Sequence, residues 1–316
     1  MASVGMASAL AIGCGGDPAP AGVDGGSGDA GAPNYCTVTT DGGVAGEGPC
    51  CYRDSQADAL DAPELRLRYI DILAPEGSPL MSLVLLSVLN DALALNTFAW
   101  LIRVEGADGD GPVNVVTGFG LNNPDGTYTF PTGTTADPLD LPRYAPVMLA
   151  GTLTGEVVTT DRFDGSLTVP VLNTEGTDVQ LELVLRNIRV TRSELSAERS
   201  CIGAAAPRGR YTTAAELDGF IEVESARTGM VVSGPVMTTV CAAIAGDLSD
   251  AAYCDQPQSA WATQPDSLCD AAGCTRNAEG MEDLCDTAGD STTGLPACNA
   301  WRLVAEFAAH GVEITD

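Results

Sequence analysis

The sequence predicts an α+β protein in which an antiparallel curved sheet or sandwich packs on one long apolar helix and is followed by a disulfide-rich C-terminal segment. Three observations support this class. Segments that alternate apolar and polar residues recur from residue 65 onward, Asp-Gly turns separate them at hairpin-like intervals, and one apolar stretch has helical periodicity. A sheet and a helix of this kind bury their apolar faces against each other.

The first 58 residues divide into three segments by composition. Residues 1–13 are small and apolar, too few to span a bilayer but typical of a secretory signal peptide. Residues 14–34 are rich in Gly, Ala, Asp and Pro, and predict a flexible tether because they bury too little apolar surface to offset the entropy of ordering. Residues 35–58 are predicted to be a cysteine-bearing cap.

The junction Ala11-Ile12-Gly13-Cys14 resembles the lipobox of bacterial lipoproteins. In that family the cysteine is diacylated, becomes the mature N-terminus and precedes a flexible spacer. The resemblance implies lipidation of Cys14 and a lipid anchor in the cell envelope of a Gram-negative bacterium. Gly15 at the second mature position implies the outer membrane. The whole chain also resembles the cysteine-rich lipoproteins of GC-rich, myxobacteria-like genomes.

The β core is predicted over residues 59–235 and contains the long helix. Residues 65–69 alternate apolar side chains with arginine, which predicts a half-buried strand. Ser78-Pro79 is typical of a helix start, and the apolar residues that follow form a helical stripe with further leucines on its other faces. This pattern predicts a helix over 79–95 that is buried on most sides.

Further alternating segments predict an antiparallel meander. Trp100 lies in the first of them and is expected in the core. The alternation changes parity near Asn187, which predicts a β-bulge. The predicted strands are residues 98–105, 113–119, 127–130, 147–158, 166–172, 179–192 and 219–225.

The last quarter of the chain, residues 236–316, is predicted to be cysteine-rich and mainly helical. A short helix is expected over 236–246. A second, over Asn299–Ala309, is expected because Trp301, Val304 and Phe307 would share one helix face. The end, Gly311 to Thr315, is a candidate for a strand that returns to the main sheet.

Ten cysteines besides Cys14 are candidates for disulfides. Their spacings are not those of paired zinc knuckles, and disulfides require an oxidising compartment outside the cytoplasm. Connectivity stays open: Cys201 with Cys241 is one candidate pair, and Cys36 is a candidate partner for Cys50 or Cys51. At least one of the last five must bond outside that group, because five is odd. The ten are Cys36, Cys50, Cys51, Cys201, Cys241, Cys254, Cys269, Cys274, Cys285 and Cys298.

Composition excludes several classes of chemistry. The chain has no lysine and one histidine, His310, so it lacks the residues for a lysine Schiff base, a Ser-Lys dyad, a phosphate-loop lysine or an HExxH zinc site. Its net charge of −28 at pH 7 repels nucleic-acid phosphates. We therefore predict a protein that is not an enzyme, uses no cofactor and does not bind nucleic acid.

The remaining polar candidates have simple interpretations. At the end of a predicted helix, His310 is expected to cap carbonyl groups or face solvent. Asp108 with Asp110, and Asp286 with Asp290, bear carboxylates of the kind that bind calcium. Neither pair has the DxDxDG spacing, so polar turns and no metal site are predicted.

Two functional hypotheses follow from these observations. In the first, the protein is a lipid-anchored, non-catalytic binding protein for a small or apolar ligand, held between the helix and the sheet. In the second, it is a structural or protein-interaction module displayed at the cell envelope. A cavity between the predicted helix 79–95 and the sheet would favour the first hypothesis, and a filled core would favour the second.

Overall fold

A computed structural model of the protein describes residues 44–45, 52–53, 62–78, 83–135, 137–173, 176, 178–196, 199–206, 210–233, 236–247, 249–277, 282–290, 292 and 294–316. All of these residues belong to one compact unit, Asn34–Asp316. The predicted signal peptide, the tether and the lipidated Cys14 lie outside the described residues. Of the predicted cap, only residues 44–45 and 52–53 are described.

Antiparallel β-structure dominates this unit, and strands account for 49% of the described residues. The strands are β1 (Val44–Ala45), β2 (Tyr52–Arg53), β3 (Glu64–Ala74), β4 (Trp100–Glu105), β5 (Gly111–Phe119), β6 (Leu121–Asn122), β7 (Tyr128–Thr129), β8 (Val147–Thr154), β9 (Val157–Thr160), β10 (Ser166–Leu172), β11 (Val179–Glu194), β12 (Cys201–Ile202), β13 (Ala204–Ala206), β14 (Arg210–Thr212), β15 (Ala215–Glu222), β16 (Met230–Ser233), β17 (Val236–Thr239), β18 (Ser267–Asp270), β19 (Gly273–Arg276), β20 (Ala300–Gly311) and β21 (Ile314–Thr315).

The predicted α+β class is wrong, because helices are a minor part of the structure. The α-helices of the described residues are α1 (Leu83–Ala94), α2 (Val223–Thr228) and α3 (Val240–Ala245). The helix expected over 79–95 is represented in the described residues by α1, a single connection between β3 and β4. The protein is therefore a mainly antiparallel β protein, and α1 is an insertion in its sheet rather than a second layer.

Eight strands of the large sheet pair in a closed cycle. Their order is β3-β4-β5-β8-β9-β11-β15-β20, and β20 pairs with β3 to complete it. Every neighbouring pair in this ring is antiparallel. The strand order follows the chain order, so each new strand is added beside the previous one until the last closes the ring. Closure leaves no free edge within the ring.

The closing strand, β20, differs most from the element that its sequence predicts. A helix is expected over Asn299–Ala309, but Ala300–Gly311 form a twelve-residue strand. Both faces of this strand are buried: Trp301 and Phe307 lie in the main core, while Ala308 on the opposite face is 1% exposed. A strand buried on both faces lacks an alternating pattern, and its apolar residues imitate helical spacing.

Two local predictions concern irregular strands. The bulge expected near Asn187 is confirmed: this residue has φ of 47°, and the β11–β15 register shifts between Arg186 and Arg189. The single strand expected over 147–158 is instead the hairpin of β8 and β9, which turns at Gly155 with φ of 60°. The alternation continues through this turn, which is why the sequence resembles that of one strand.

Helical segments and tryptophans contribute to the main core. In α1, Leu89 and Leu93 belong to this core, and every residue of α3 is at most 1% exposed. Trp261 stacks on Trp301 with ring centroids 5.8 Å apart. The core position expected for Trp100 is confirmed, since it is 4% exposed and its Nε1 donates to Thr117 Oγ1 at 2.8 Å.

Candidate ligand-binding cleft

A cleft of about 530 Å³ lies on the outside of the ring, where the bulge of β11 faces the β18–β19 hairpin. Its size falls within the range of small-molecule sites. The lining combines apolar and polar groups, which include Arg162, Asn187, Leu268, Gly273, Cys274 and Leu284.

Arg162, which lines the cleft, belongs to a cluster built on one buried carboxylate, that of Asp218 in β15. Asp218 is 0% exposed, and its carboxylate forms ion pairs with three arginines. The Oδ2 atom accepts from Arg162 Nη2 at 2.6 Å and Arg189 Nη2 at 3.0 Å, and Oδ1 accepts from Arg302 Nε at 2.9 Å. These arginines come from the loop after β9, from β11 and from β20, so ring closure brings them together.

Burial and the charges of this cluster shift the pKa values of Asp218 and Arg162. Burial alone would raise the pKa of Asp218, but the hydrogen bond from Arg302 and the positive charges of Arg162 and Arg302 outweigh it and lower the pKa. Burial lowers the pKa of Arg162, and repulsion from Arg189 and Arg302 adds to that effect. Three arginines share the single negative charge of Asp218, and of these four residues Arg162 lines the cleft.

Arg162 connects this cluster to the cleft surface. Its Nη1 donates to the carbonyl oxygen of Asn187 at 2.9 Å, and its guanidinium carbon lies 5.1 Å from the ring centroid of Phe220. The side chain remains 31% exposed and lines the cleft. A ligand in the cleft would therefore meet a positively charged group that the fold already holds in place.

The β18–β19 hairpin that forms the opposite wall is fixed to the ring by side-chain amides. Asn187 Oδ1 accepts from the backbone nitrogen of Cys274 at 2.6 Å, and its Nδ2 donates to the Phe163 carbonyl oxygen at 2.8 Å. Asn299 makes a similar pair of bonds with the backbone of Cys269 at 2.7 and 2.8 Å. The Cys269–Cys274 disulfide joins the two strands, so the cleft is preformed.

Acidic residues lie at the rim. Asp164 and Asp270 line the cleft and are exposed to solvent. The carbonyl oxygen of Asp270 also accepts a hydrogen bond from Arg186, whose Nη1 pairs with Glu222 at 2.6 Å. The cleft therefore combines the guanidinium group of Arg162 with two exposed carboxylates.

A second, smaller cavity of about 180 Å³ lies beyond the C-terminal end of α1. It is bordered by Asn96, Thr97, Phe119 and Leu172 among other residues. It lies beside the end of the helix and not along its face, where a ligand site is expected from the sequence. The arginine-lined cleft outside the ring is both larger and more varied in its chemistry, and we take it as the candidate site.

The structure pairs six of the predicted disulfide cysteines as Cys241–Cys254, Cys269–Cys274 and Cys285–Cys298. The Cys201–Cys241 pair is wrong, because Cys241 bonds to Cys254. The expectation that one of the last five cysteines bonds outside that group is confirmed by the same pair. Cys201 is also disulfide-bonded. Cys14, Cys36, Cys50 and Cys51 lie outside the described residues.

Other candidate residues have different surroundings from those expected. His310 lies not at a helix end but in β20, where it is 3% exposed and stands opposite Arg66 of β3 and Cys201 of β12. Asp110 belongs to a turn, where its Oδ1 accepts from the Gly155 nitrogen at 2.8 Å. Among the residues that the structure describes, no three His, Cys, Asp or Glu side chains cluster as a metal site.

The arginine cluster is not predicted by the sequence, although part of its signal is present there. Arg186, Arg189 and Arg192 occur within seven residues of β11 and lie around the predicted bulge. What the sequence does not show is that Arg162 and Arg302 reach the same carboxylate. That convergence depends on pairing between strands far apart in the chain.

The disulfides indicate that the protein resides in an oxidising environment outside the cytoplasm. Within the described residues, no helix has the length and apolar character needed to cross a bilayer. In comparisons with known proteins, no family model, curated protein or solved structure matched the chain.

Proposed function

We propose that this protein is a lipid-anchored, extracytoplasmic binding protein for a small ligand that combines an apolar part with an anionic group. The observation that carries the proposal is the preformed cleft, which is lined both by leucine side chains and by the partly exposed Arg162. Lipidation at Cys14 is supported by the lipobox-like Ala11-Ile12-Gly13-Cys14, and Gly15 favours the outer membrane.

The chemistry of the cleft selects for such a ligand in two ways. Leu268 and Leu284 offer apolar surface, and Leu284 is 44% exposed, so a ligand would remove this surface from water. The exposed part of the Arg162 guanidinium can pair with an anionic group, since guanidinium groups form strong hydrogen bonds with carboxylates, sulfonates and phosphates. The rim carboxylates of Asp164 and Asp270 can accept hydrogen bonds from donors on the same ligand.

The same lining favours binding over catalysis. The sulfur of Cys274 is held in a disulfide and is not a free nucleophile. Arg162 and Asn187 are engaged in bonds that hold the fold together, so their first role is structural. These lining residues are suited to a non-catalytic receptor, because recognition needs only a shaped surface and a few oriented polar groups.

Filling the cleft tests the proposal. The probe is anilinonaphthalene sulfonate, which carries an apolar ring system and one sulfonate. Ala272 at the hairpin tip lines the cleft and is exposed, so Ala272→Trp occupies the cleft without entering the core. Ala251 is an exposed turn residue outside the lining, and Ala251→Trp is the matched control.

We expect wild type and Ala251→Trp to bind the probe equally, and Ala272→Trp to bind at least about tenfold more weakly, which corresponds to ~1.4 kcal/mol. Because the probe also binds partly unfolded proteins, all three proteins must unfold in urea cooperatively and with the same midpoint. Equal binding by the two variants would remove the cleft as the site. The alternative, an interaction module at the cell envelope, would then be favoured.

The anchor has its own test. Mass spectrometry of the mature protein from its native host should show an N-terminal diacylated Cys14, and Cys14→Ser should release the protein from the membrane fraction. A mature chain that retains Met1 would contradict lipidation while leaving the cleft proposal intact.

A further inference from the structure

A second polar site, independent of the cleft, lies in the loop closed by the Cys285–Cys298 disulfide. Asp286 in this loop is 8% exposed. Its Oδ1 accepts from the Ala288 nitrogen at 3.0 Å, but its Oδ2 is buried and has no hydrogen-bond partner. A buried carboxylate oxygen without a partner is costly, so the native protein is expected to supply something that satisfies it.

Gln258 contributes a second buried oxygen without a partner, Oε1. The orientation of its amide is fixed, because Nε2 donates to the Cys298 carbonyl oxygen at 3.0 Å. Oε1 lies against Gly289, where a Cβ atom would be only 2.4 Å away. The glycine therefore leaves room for the Gln258 oxygen beside the turn that begins at Asp286.

Asp290 completes the group. Its Oδ1 accepts from the nitrogen and hydroxyl of Thr292 at 3.0 and 2.7 Å. These two bonds, followed by an interaction with the carboxyl group of Asp286, lower the pKa of Asp290. The Asp286–Asp290 turn thus gathers two carboxyl groups and the Gln258 amide oxygen, and the buried oxygens among them have no donor.

We propose that this group binds a divalent cation, and that the cation is Ca²⁺. Calcium prefers carboxylate and amide oxygens and completes its coordination with backbone carbonyls and water. Mg²⁺ demands a stricter octahedral geometry that a turn of this kind does not impose. The charge of the region supports the choice, because residues 247–316 contain thirteen acidic residues and two arginines.

An extracytoplasmic location makes a modest affinity sufficient. Calcium sites of extracellular modules have dissociation constants of about 10⁻⁴–10⁻³ M. A site formed by two carboxylates and one amide oxygen, with one carboxylate exposed, belongs at this weak end. Calcium would then fix the loop against the Gln258–Ala260 segment and add to the effect of the disulfide.

Calorimetric titration of the intact, oxidised protein with CaCl₂ tests the site. We expect one Ca²⁺ per chain with a dissociation constant of about 10⁻⁴–10⁻³ M. The backbone nitrogen of Trp261 donates to the Gln258 backbone carbonyl oxygen at 3.0 Å, so tryptophan emission should change during the titration. Melting temperature should rise with calcium concentration, as it does for any ligand that binds only the folded state.

Variants distinguish Ca²⁺ binding at this site from non-specific attraction of Ca²⁺ to an acidic surface. Asp290→Asn alters an exposed residue and should weaken Ca²⁺ binding at least about tenfold, and Asp286→Asn should abolish it. The matched control is Asp125→Asn: Asp125 Oδ1 makes the same two bonds to Thr127, at 3.1 and 2.8 Å, in an exposed turn. This control should bind calcium like wild type.

Three results would overturn the proposal. One is the absence of binding up to about 10 mM CaCl₂. Another is Mg²⁺ binding as tight as that of Ca²⁺. The third is unchanged Ca²⁺ binding in Asp290→Asn, which keeps the test informative even if Asp286→Asn does not fold.

Discussion

Replacing the buried carboxylate with an amide, Asp218→Asn, is the sharpest test of how the ring is held together. The substitution keeps the shape of the side chain but removes the negative charge that Arg162, Arg189 and Arg302 share at 2.6, 3.0 and 2.9 Å. The three guanidinium groups would then repel one another without a counter-charge. Removing one partner of a buried ion pair costs about 3–5 kcal/mol.

The arginines are 30–39% exposed, so water screens part of the repulsion that remains. We therefore expect the lower end of that range, about 3 kcal/mol, out of a typical total stability of about 5–15 kcal/mol. Urea unfolding with the disulfides intact measures this loss of stability. The unfolding midpoint should fall, while the slope of the unfolding free energy against urea concentration stays unchanged. The control is Glu194→Gln, whose partner Arg192 is 64% exposed, with an expected loss below about 1 kcal/mol.

The effect has a defined pH dependence. The folded-state pKa of Asp218 is lowered, so its contribution is fully present above the unfolded-state pKa of about 3.9 and is lost as pH falls through the folded-state value. The difference between wild type and Asp218→Asn should be constant near neutral pH and shrink below about pH 4. An Asp218→Asn loss no greater than that of Glu194→Gln, or one that grows on acidification, would refute the reasoning.

Three other substitutions each remove one side chain whose contacts predict the outcome. Asn187→Ala should cost about 1–3 kcal/mol in urea unfolding and speed hydrogen exchange in the β18–β19 hairpin, because the buried nitrogen of Cys274 loses its acceptor. Trp301→Ala should cost about 3–5 kcal/mol, since the side chain is 0% exposed and stacks on Trp261; a smaller loss would mean that the core collapses into the space. A hydrogen bond from the Thr135 side chain, with those from the four consecutive backbone nitrogens of residues 132–135, holds the pKa of Asp140 well below the ordinary range. Asp140→Ala should therefore speed exchange in that loop at neutral pH. Wild type should keep the loop protected down to about pH 4, and early loss of protection would contradict the low pKa.

Local patterns predict the strands whose two faces differ in burial. The predicted segment 166–172 coincides with β10, and the change of parity in the alternation locates the Asn187 bulge from the sequence alone. Each of these depends only on residues within a few positions of one another. The alternation of polar and apolar residues records which face of the strand meets the core, so it is readable without knowledge of the partner strands.

The predictions that are wrong concern features that depend on distant parts of the chain. β20 is covered on both faces, and this environment arises only when β3, β15 and the disulfide-bonded hairpin are in place. The apolar stripe of α1 predicts a helical layer, whereas the helix is one connection in a sheet, and this difference makes the predicted class wrong. The Asp218 cluster is not predictable from local patterns for the same reason, since Arg162 and Arg302 lie 140 positions apart in the numbering.

The closing strand connects the fold to the candidate site. Arg302 of β20 lies directly opposite Phe220 of β15 in the ladder, and its Nε reaches Asp218. Before β20 pairs, Asp218 lacks one of its three arginines and the ring has two open edges. The Asn299 side chain, one residue before β20, holds Cys269 of the hairpin that walls the cleft. Ring closure and assembly of the cleft are therefore one event, and the cleft should be absent from any state in which β20 has not paired.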